Sequence, residues 1–269
     1  MAEYVLGHSD SELRRLETQA RVIGPVTRRF FVEAGVRPGM RVLDVGSGAG
    51  DVALLAAELV GEHGSVVGFD RSAAGLEVAR AKAAAQSAGN VRFVVGAADD
   101  VVFDERFDAV VGRYVLQFQP DPAQLLARVA GFARPGGVVA FHELDWAGVT
   151  SDPPVPTYEQ LRVWLQAAIE GSGASAHSGL RLPAVFAAAG LPEPTMRMES
   201  LIGVGANARD AVERLGHLAQ TLLAALEEHG IVSAAELDPD TLVDRILAEA
   251  ASSGSVVRSH LEIGAWVRV

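Results

Sequence analysis

The chain of 269 residues contains no cysteine. That excludes a disulfide framework, a thiolate nucleophile and a cysteine-ligated metal, and it suits a reducing compartment. Basic residues are also short: 23 lysines and arginines stand against 34 aspartates and glutamates, a formal charge of −11. A phosphate backbone would be repelled by this balance, and no local basic patch interrupts it, so no nucleic-acid partner is expected. No apolar run is long enough to span a bilayer. The opening MAEYVLGHSDSELRRL turns polar too soon for a signal peptide, so a cytoplasmic protein without a membrane span is expected. Histidines 8, 63, 217, 229 and 260 do not cluster at metal-ligand spacing, and no metal is expected.

What is present is an alternation. Residues 10 to 34 carry Leu13, Leu16, Ala20, Ile23 and Val26 at helical spacing, with Ser9 or Asp10 as N-cap and a break expected at Pro25. Valine-rich runs at 40–45, 65–70, 91–96, 107–115 and 137–145 then read as strands, separated by helices at 51–60, 73–88 and 121–133. Such βαβ units predict a doubly wound, mostly parallel α/β sheet with its ligand at the carboxyl ends of the strands. Beyond 146 come a proline-rich connection (151–156), helices at 157–170 and 180–190, and a flexible loop between them at 171–179. A strand at 195–205, helices at 208–229 and 236–252, and a last strand at 259–269 complete seven strands, with a helical insertion before the last. The expected organisation is an N-terminal helical cap (1–36), a cofactor-binding core (37–147) and a substrate-side segment (148–269) with lid helices and a terminal hairpin completing the same sheet.

The stretch VLDVGSGAGD (42–51) carries the chemistry. Counting Gly46 as the first, its sixth position is Asp51, where a dinucleotide fingerprint needs glycine, and no Gly-Lys-Ser/Thr follows as in a phosphate-binding loop. Asp44 and Asp51 would stand close to a pyrophosphate, and partly desolvated like charges at such range cost a few kcal/mol. A cationic ligand reverses the sign. S-adenosylmethionine carries an ammonium and a sulfonium, and glycines at 46 and 48 allow the backbone to approach it closely. Asp70, ending the second strand, stands where a carboxylate accepts ribose hydroxyls, a device that dinucleotide sites share.

VLDVGSGAG, GFDRSAAGLEVAR, VRFVVGAADD, FDAVVGRYVLQF and RPGGVVAF follow in the motif order of the class I S-adenosylmethionine-dependent methyltransferases, which residues 38–146 resemble. YVLGHSDSELRRLETQA and RLPAVFAAAGL resemble a bacterial small-molecule branch of that family. The resemblance implies a Rossmann-like methyltransferase fold. It further implies that Asp44 lies near the methionine amine, that Gly46, Ser47 and Gly48 wrap methionine and ribose, that Asp70 binds the ribose and that Arg71 flanks the adenine. Ala97 replaces the aspartate that many relatives carry, which leaves the adenine to the Ala98 backbone and Asp99. Arg113 would face the methionine part, and Gln19 and Tyr4 would close the site from the N-terminal helix.

Methyl transfer requires mainly alignment of the acceptor, and a positioned base where a hydroxyl or acidic carbon must lose a proton. His142 and Glu143, in FHELD at the end of the fifth strand, and His177, in the 171–179 loop, are the candidate catalytic residues. Because strand residues alternate, His142 and Glu143 share a pocket only if the strand has already ended. Trp146, Trp164, Tyr158, Phe118 and Phe186 divide between acceptor lining and core. The expected reaction takes S-adenosylmethionine to S-adenosylhomocysteine with a small, fairly apolar acceptor, a secondary metabolite or quinone-like ring. A non-methylating S-adenosylmethionine-binding enzyme and a nicotinamide-dependent oxidoreductase stand as alternatives, and the oligomeric state is open, a homodimer included.

Overall fold

The computed structural model describes residues 10–269, with side chains from residue 20 onward. Tyr4 and Ser9 therefore lie outside the described residues, as does the side chain of Gln19. Helix α1 (Asp10–Ala34) runs without interruption through Pro25. The proline removes one backbone bond, but Ile23, Val26, Phe30 and Phe31 are buried on both sides of it, and this packing carries the helix past the missing donor.

The alternation that follows is β1 (Arg41–Val45), α2 (Asp51–Val60), β2 (Ser65–Asp70), α3 (Ala73–Ala85), β3 (Val91–Val95), β4 (Phe107–Arg113), α4 (Pro122–Ala130) and β5 (Ala133–Asp145). β1 pairs in parallel with both β2 and β4, β2 with β3, and β4 with β5. The order β3-β2-β1-β4-β5 reverses direction of winding between β1 and β4, which opens a crevice at their carboxyl ends. Asp44 sits on this central strand, opposite Gly68 of β2 and Val111 of β4. Val42, Val66, Ala109, Val111, Val138 and Ala140 pack as one sheet face against Phe31, Ala53, Ala56 and Val60. Burial of valine on both faces of central strands is what the near-continuous apolar runs required.

After β5 come β6 (Thr150–Asp152), α5 (Pro156–Gly171), α6 (Ser178–Ala188), β7 (Thr195–Val204), α7 (Arg209–Glu228), α8 (Ala234–Leu237), α9 (Leu242–Ser253) and β8 (Val256–Arg268). The sheet has eight strands where the sequence suggested seven, in the order β3-β2-β1-β4-β5-β8-β6 with β7 on β8. The additional strand is β6, whose three residues pair antiparallel with Val256–Arg258. It escaped notice because SDPPVP reads as a connection, and its prolines begin only after the paired residues. The helix expected over 236–252 is divided: Asp238 takes a left-handed conformation (φ 46°) after α8, and α9 begins four residues later.

By internal contacts the chain forms two compact units. One comprises Ile23–Glu143, Ser178–Arg197 and Ile263–Val269 and holds the parallel sheet described above. The other comprises the described residues up to Val22, Leu144–His177 and Met198–Glu262. Its core is helical, with Tyr158, Leu161 and Leu165 of α5, Leu215, Ala219 and Leu222 of α7, and Leu242, Ile246 and Ala250 of α9 all buried. Among the described residues no helix is long and apolar enough to cross a membrane.

Candidate cofactor site and catalytic groups

The glycine turn leaves β1 through Gly46, Gly48 and Gly50, all at positive φ (66°, 49° and 83°), and delivers the chain into α2. At Gly46 the requirement for glycine is double. Left-handed backbone disfavours a side chain, and a Cβ would fall 2.9 Å from a methyl of Val115. At Gly48 a Cβ would meet nothing, so the turn there borders open space. Gly46→Ala is expected to cost about 1–2 kcal/mol from backbone conformation alone, with the steric conflict added. A lower melting temperature together with lost cofactor binding would be its signature.

Asp44 is 1% exposed, and neither carboxylate oxygen has a hydrogen-bond partner. The Ser47 hydroxyl donates to the Asp44 carbonyl (3.2 Å). Burial pushes the Asp44 carboxyl up to about 7, against the lowering influence of nearby Ser47 and Arg113. A buried acid left without a partner is costly, and a cation seated beside it would remove that cost. Asp51 is different from what the sequence suggested. It is paired with Lys82 (2.7 Å) across to α3, so it contributes no free negative charge to the turn. The electrostatic discrimination against a pyrophosphate therefore falls on Asp44 rather than on two acids.

Asp70 ties the turn to the next loop: its oxygens accept the N–H of Gly48 (2.9 Å) and of Ser72 (2.8 Å). Each oxygen keeps a lone pair for a ribose hydroxyl. Arg71 and Asp99 are exposed, and the Ala98 carbonyl accepts from Arg128 (3.1 Å). Arg113 is nearly buried, its guanidinium donating to the Thr27 hydroxyl (3.1 Å). These residues fit the cationic cofactor in kind: an unpartnered acid for its ammonium, a side-chain-free turn bordering open space, and an acid at the end of β2 for its ribose.

The candidate catalytic residues separate. β5 continues to Asp145, so His142 and Glu143 point to opposite faces of the same strand. His142 is fully buried between the rings of Phe30 and Tyr114, with Nδ1 3.1 Å from Thr27 Oγ1. Thr27 has one proton, directed at the Ile23 carbonyl (3.1 Å), so His142 Nδ1 and Arg113 both donate to it. Glu143 is also fully buried, its oxygens turned to the backbone amides of Val115, Leu116 and Gln117 (2.9, 2.9 and 3.4 Å). Burial raises its carboxyl to about 7 although those amides and the Ser178 hydroxyl favour the charged form. His177 belongs to the other unit, where Nδ1 lies 3.0 Å from the Oδ1 of fully buried Asp145 while the imidazole stays about two-fifths exposed. Asp145 also accepts the Ala147 N–H (2.9 Å), which fixes its carboxylate.

Of the aromatic candidates, Tyr158 and Phe186 are fully buried core residues, the former donating to the Arg258 carbonyl (2.9 Å). Trp146 is buried edge-on against His260, and Trp164 and Phe118 are partly exposed. A cavity of about 360 Å³ opens beside Arg41, Ser65, Asn90 and Arg92, at the amino ends of the strands. It holds none of the candidate residues. Thr27 and Asp145 were missed as partners, and nothing local in the sequence joins Thr27 to positions 113 and 142 or Asp145 to 177. Among the described residues no group of three or more metal-ligating side chains is assembled.

A parallel sheet that switches direction beside a glycine turn, with a buried acid before the turn and a second acid ending the next strand, defines the S-adenosylmethionine-binding class of Rossmann-like proteins. A family model described as a methyltransferase domain matches residues 37–175, about half of the chain. The chain belongs to this family and, within it, to the class I S-adenosylmethionine-dependent methyltransferases. A demethylmenaquinone methyltransferase of Shouchella clausii (strain KSM-K16) is 39% identical over 127 residues, 47% of this chain and 52% of that protein. The chain thus spans about half the length of the curated relatives it matches. Among solved structures, the YcgJ protein of Bacillus subtilis superposes with a TM-score of 0.53 at 19% identity, over 91% of this chain and 97% of its own. The [4+2]-cyclase SpnF gives the same TM-score at 18% identity, over 91% of this chain and 81% of its own. At such identities the likeness is one of fold, and a cyclase among the neighbours means that the fold by itself does not name the reaction.

Proposed function

We propose that this chain transfers a methyl group from S-adenosylmethionine to a small, fairly apolar acceptor of the quinone-like or secondary-metabolite kind. The observation that carries the cofactor half is Asp44, a fully enclosed carboxylate without a partner beside a glycine turn. The quinone-like acceptor is supported by the name of the Shouchella relative. In this reading residues 1–36 form an N-terminal helical cap, 37–147 the cofactor-binding core, and 148–269 the substrate-side lid helices together with the terminal hairpin that completes the same sheet.

When bound, the cofactor supplies a sulfonium-activated methyl group whose transfer needs no metal. Asp44 binds the ammonium, Asp70 takes the ribose hydroxyls, and Gly46, Ser47 and Gly48 give the backbone close approach, with Arg71, Ala98 and Asp99 on the adenine side. Arg113, held by Thr27, sets the charge around Asp44. His177, oriented through Nδ1 by Asp145, takes the proton from an acceptor hydroxyl or acidic carbon at Nε2. This arrangement, a base steered by a fixed carboxylate, favours His177 over His142, whose imidazole is enclosed by rings and the Thr27 hydroxyl.

The test is formation of S-adenosylhomocysteine when the protein is incubated with cofactor and a panel of hydroquinones and phenols. Methylated product in stoichiometric match is the expected result. Conversion of an acceptor with the cofactor unconsumed would instead indicate a non-methylating use of the same site, and tight NAD binding without S-adenosylmethionine binding would overturn the reading altogether.

A further inference from the structure

Four consecutive amides after β4, from Tyr114 to Gln117, are all engaged by two residues of β5. The Tyr114 N–H donates to the His142 carbonyl (2.9 Å), and the next three donate to the Glu143 carboxylate. Tyr114 itself is left-handed (φ 57°), a conformation that a bulky residue keeps only where its surroundings impose it. Val115 precedes a single 3-10 turn, Leu116–Phe118, and offers no side-chain cap. Its orphan amides are capped from the neighbouring strand by Glu143 instead. The side chain that this clamp fixes is Val115, whose two methyls lie 2.9 and 3.3 Å from the point where a Cβ on Gly46 would stand.

We propose that Glu143 is a positioning residue for the cofactor turn: by gathering the 115–117 amides it holds Val115 against Gly46 and keeps the turn in its ligand-receiving form. Glu143 thereby acts at one remove from the chemistry, through the backbone and Val115. This inference rests on the glycine turn being the cofactor site.

The experiment is calorimetric titration of the full chain with S-adenosylmethionine in four forms: wild type, Glu143→Gln, Val115→Ala and the double variant. Gln retains the shape but turns an amide toward a donor, so binding should weaken about tenfold or more. Val115→Ala leaves the clamp intact and removes its cargo, and should also weaken binding. The double variant should be no weaker than the poorer single one, because both act on one contact. Glu143→Asp, with a carboxylate of shorter reach, should recover part of what Gln loses. Additive losses would overturn the proposal, and wild-type affinity in Val115→Ala would overturn it even if Glu143→Gln failed to fold. Absence of binding by the wild type would instead remove the cofactor reading beneath it.

Discussion

Asp44→Asn is expected to weaken S-adenosylmethionine binding by about ten- to a hundredfold and to leave the cofactor-free protein as stable as the wild type, or more stable, at pH 8. The first effect follows from loss of a charge-assisted partner in a buried setting, an interaction of roughly 1.5–3 kcal/mol. The second follows from the strain of the unliganded site. Burial raises the Asp44 carboxyl from 3.8 to about 7, so the folded protein holds this proton more tightly than the unfolded chain. A raised carboxyl contributes stability that is complete below about pH 4 and is lost as pH climbs through about 7. Above that, the ionised, unpartnered carboxylate is a liability on the order of a few kcal/mol, which asparagine avoids. Thermal melts of cofactor-free protein between pH 5 and 8 should therefore fall more steeply for wild type than for Asp44→Asn.

Binding reverses the balance, since a cation beside Asp44 favours its charged form. Titrations at pH 6 to 7 in buffers of different ionisation enthalpy should reveal proton release on binding in the wild type, and affinity should decline as pH falls below about 7. Asp44→Asn should show neither. Undiminished binding by Asp44→Asn would detach this acid from the cofactor. Glu143 is raised to a similar value, yet its oxygens face backbone amides, so its contribution should persist in the Asp44 variant.

His177→Ala is expected to reduce turnover of a hydroxyl or acidic-carbon acceptor by about a hundredfold or more, with S-adenosylmethionine affinity kept at the wild-type level. A positioned base contributes roughly 10² to 10⁴ in rate, and a loss confined to turnover marks a group that acts in the transition state. Asp145→Asn should produce a smaller loss of the same kind, because an amide at that position no longer enforces Nδ1–H and leaves Nε2 less well presented. Added imidazole should restore part of the activity of His177→Ala and none of that of Asp145→Asn. Single-turnover kinetics with a saturating cofactor would isolate the step. Unchanged turnover in His177→Ala would take the histidine out of the mechanism, and a parallel loss of cofactor affinity would reassign it to binding.

The parallel core was legible because each of its elements is announced locally. Valine-rich runs such as SVVGFD cannot be solvated on either face, and the intervening amphipathic stretches have helical period, so βαβ winding follows from neighbours in the chain. The glycine turn and the acid before it were legible for the same reason, since a turn at positive φ needs particular residues at particular positions. Pro25 and β6 were misread where packing overrode a local signal. At Pro25, buried apolar residues on either side held the helix together. At β6, three residues became strand because β8 lay beside them.

By itself, then, the sequence determined a doubly wound sheet, a glycine turn built for close backbone approach and the presence of Asp44 and Asp70 at strand ends. Only the tertiary structure decided what each polar group faces. It spent Asp51 on Lys82, enclosed His142 behind Thr27, turned Glu143 to three amides and joined Asp145 to a histidine 32 positions away. Element type is encoded by period and turn chemistry within a few residues, whereas partners, burial and hence charge state arise from long-range packing that no local pattern contains.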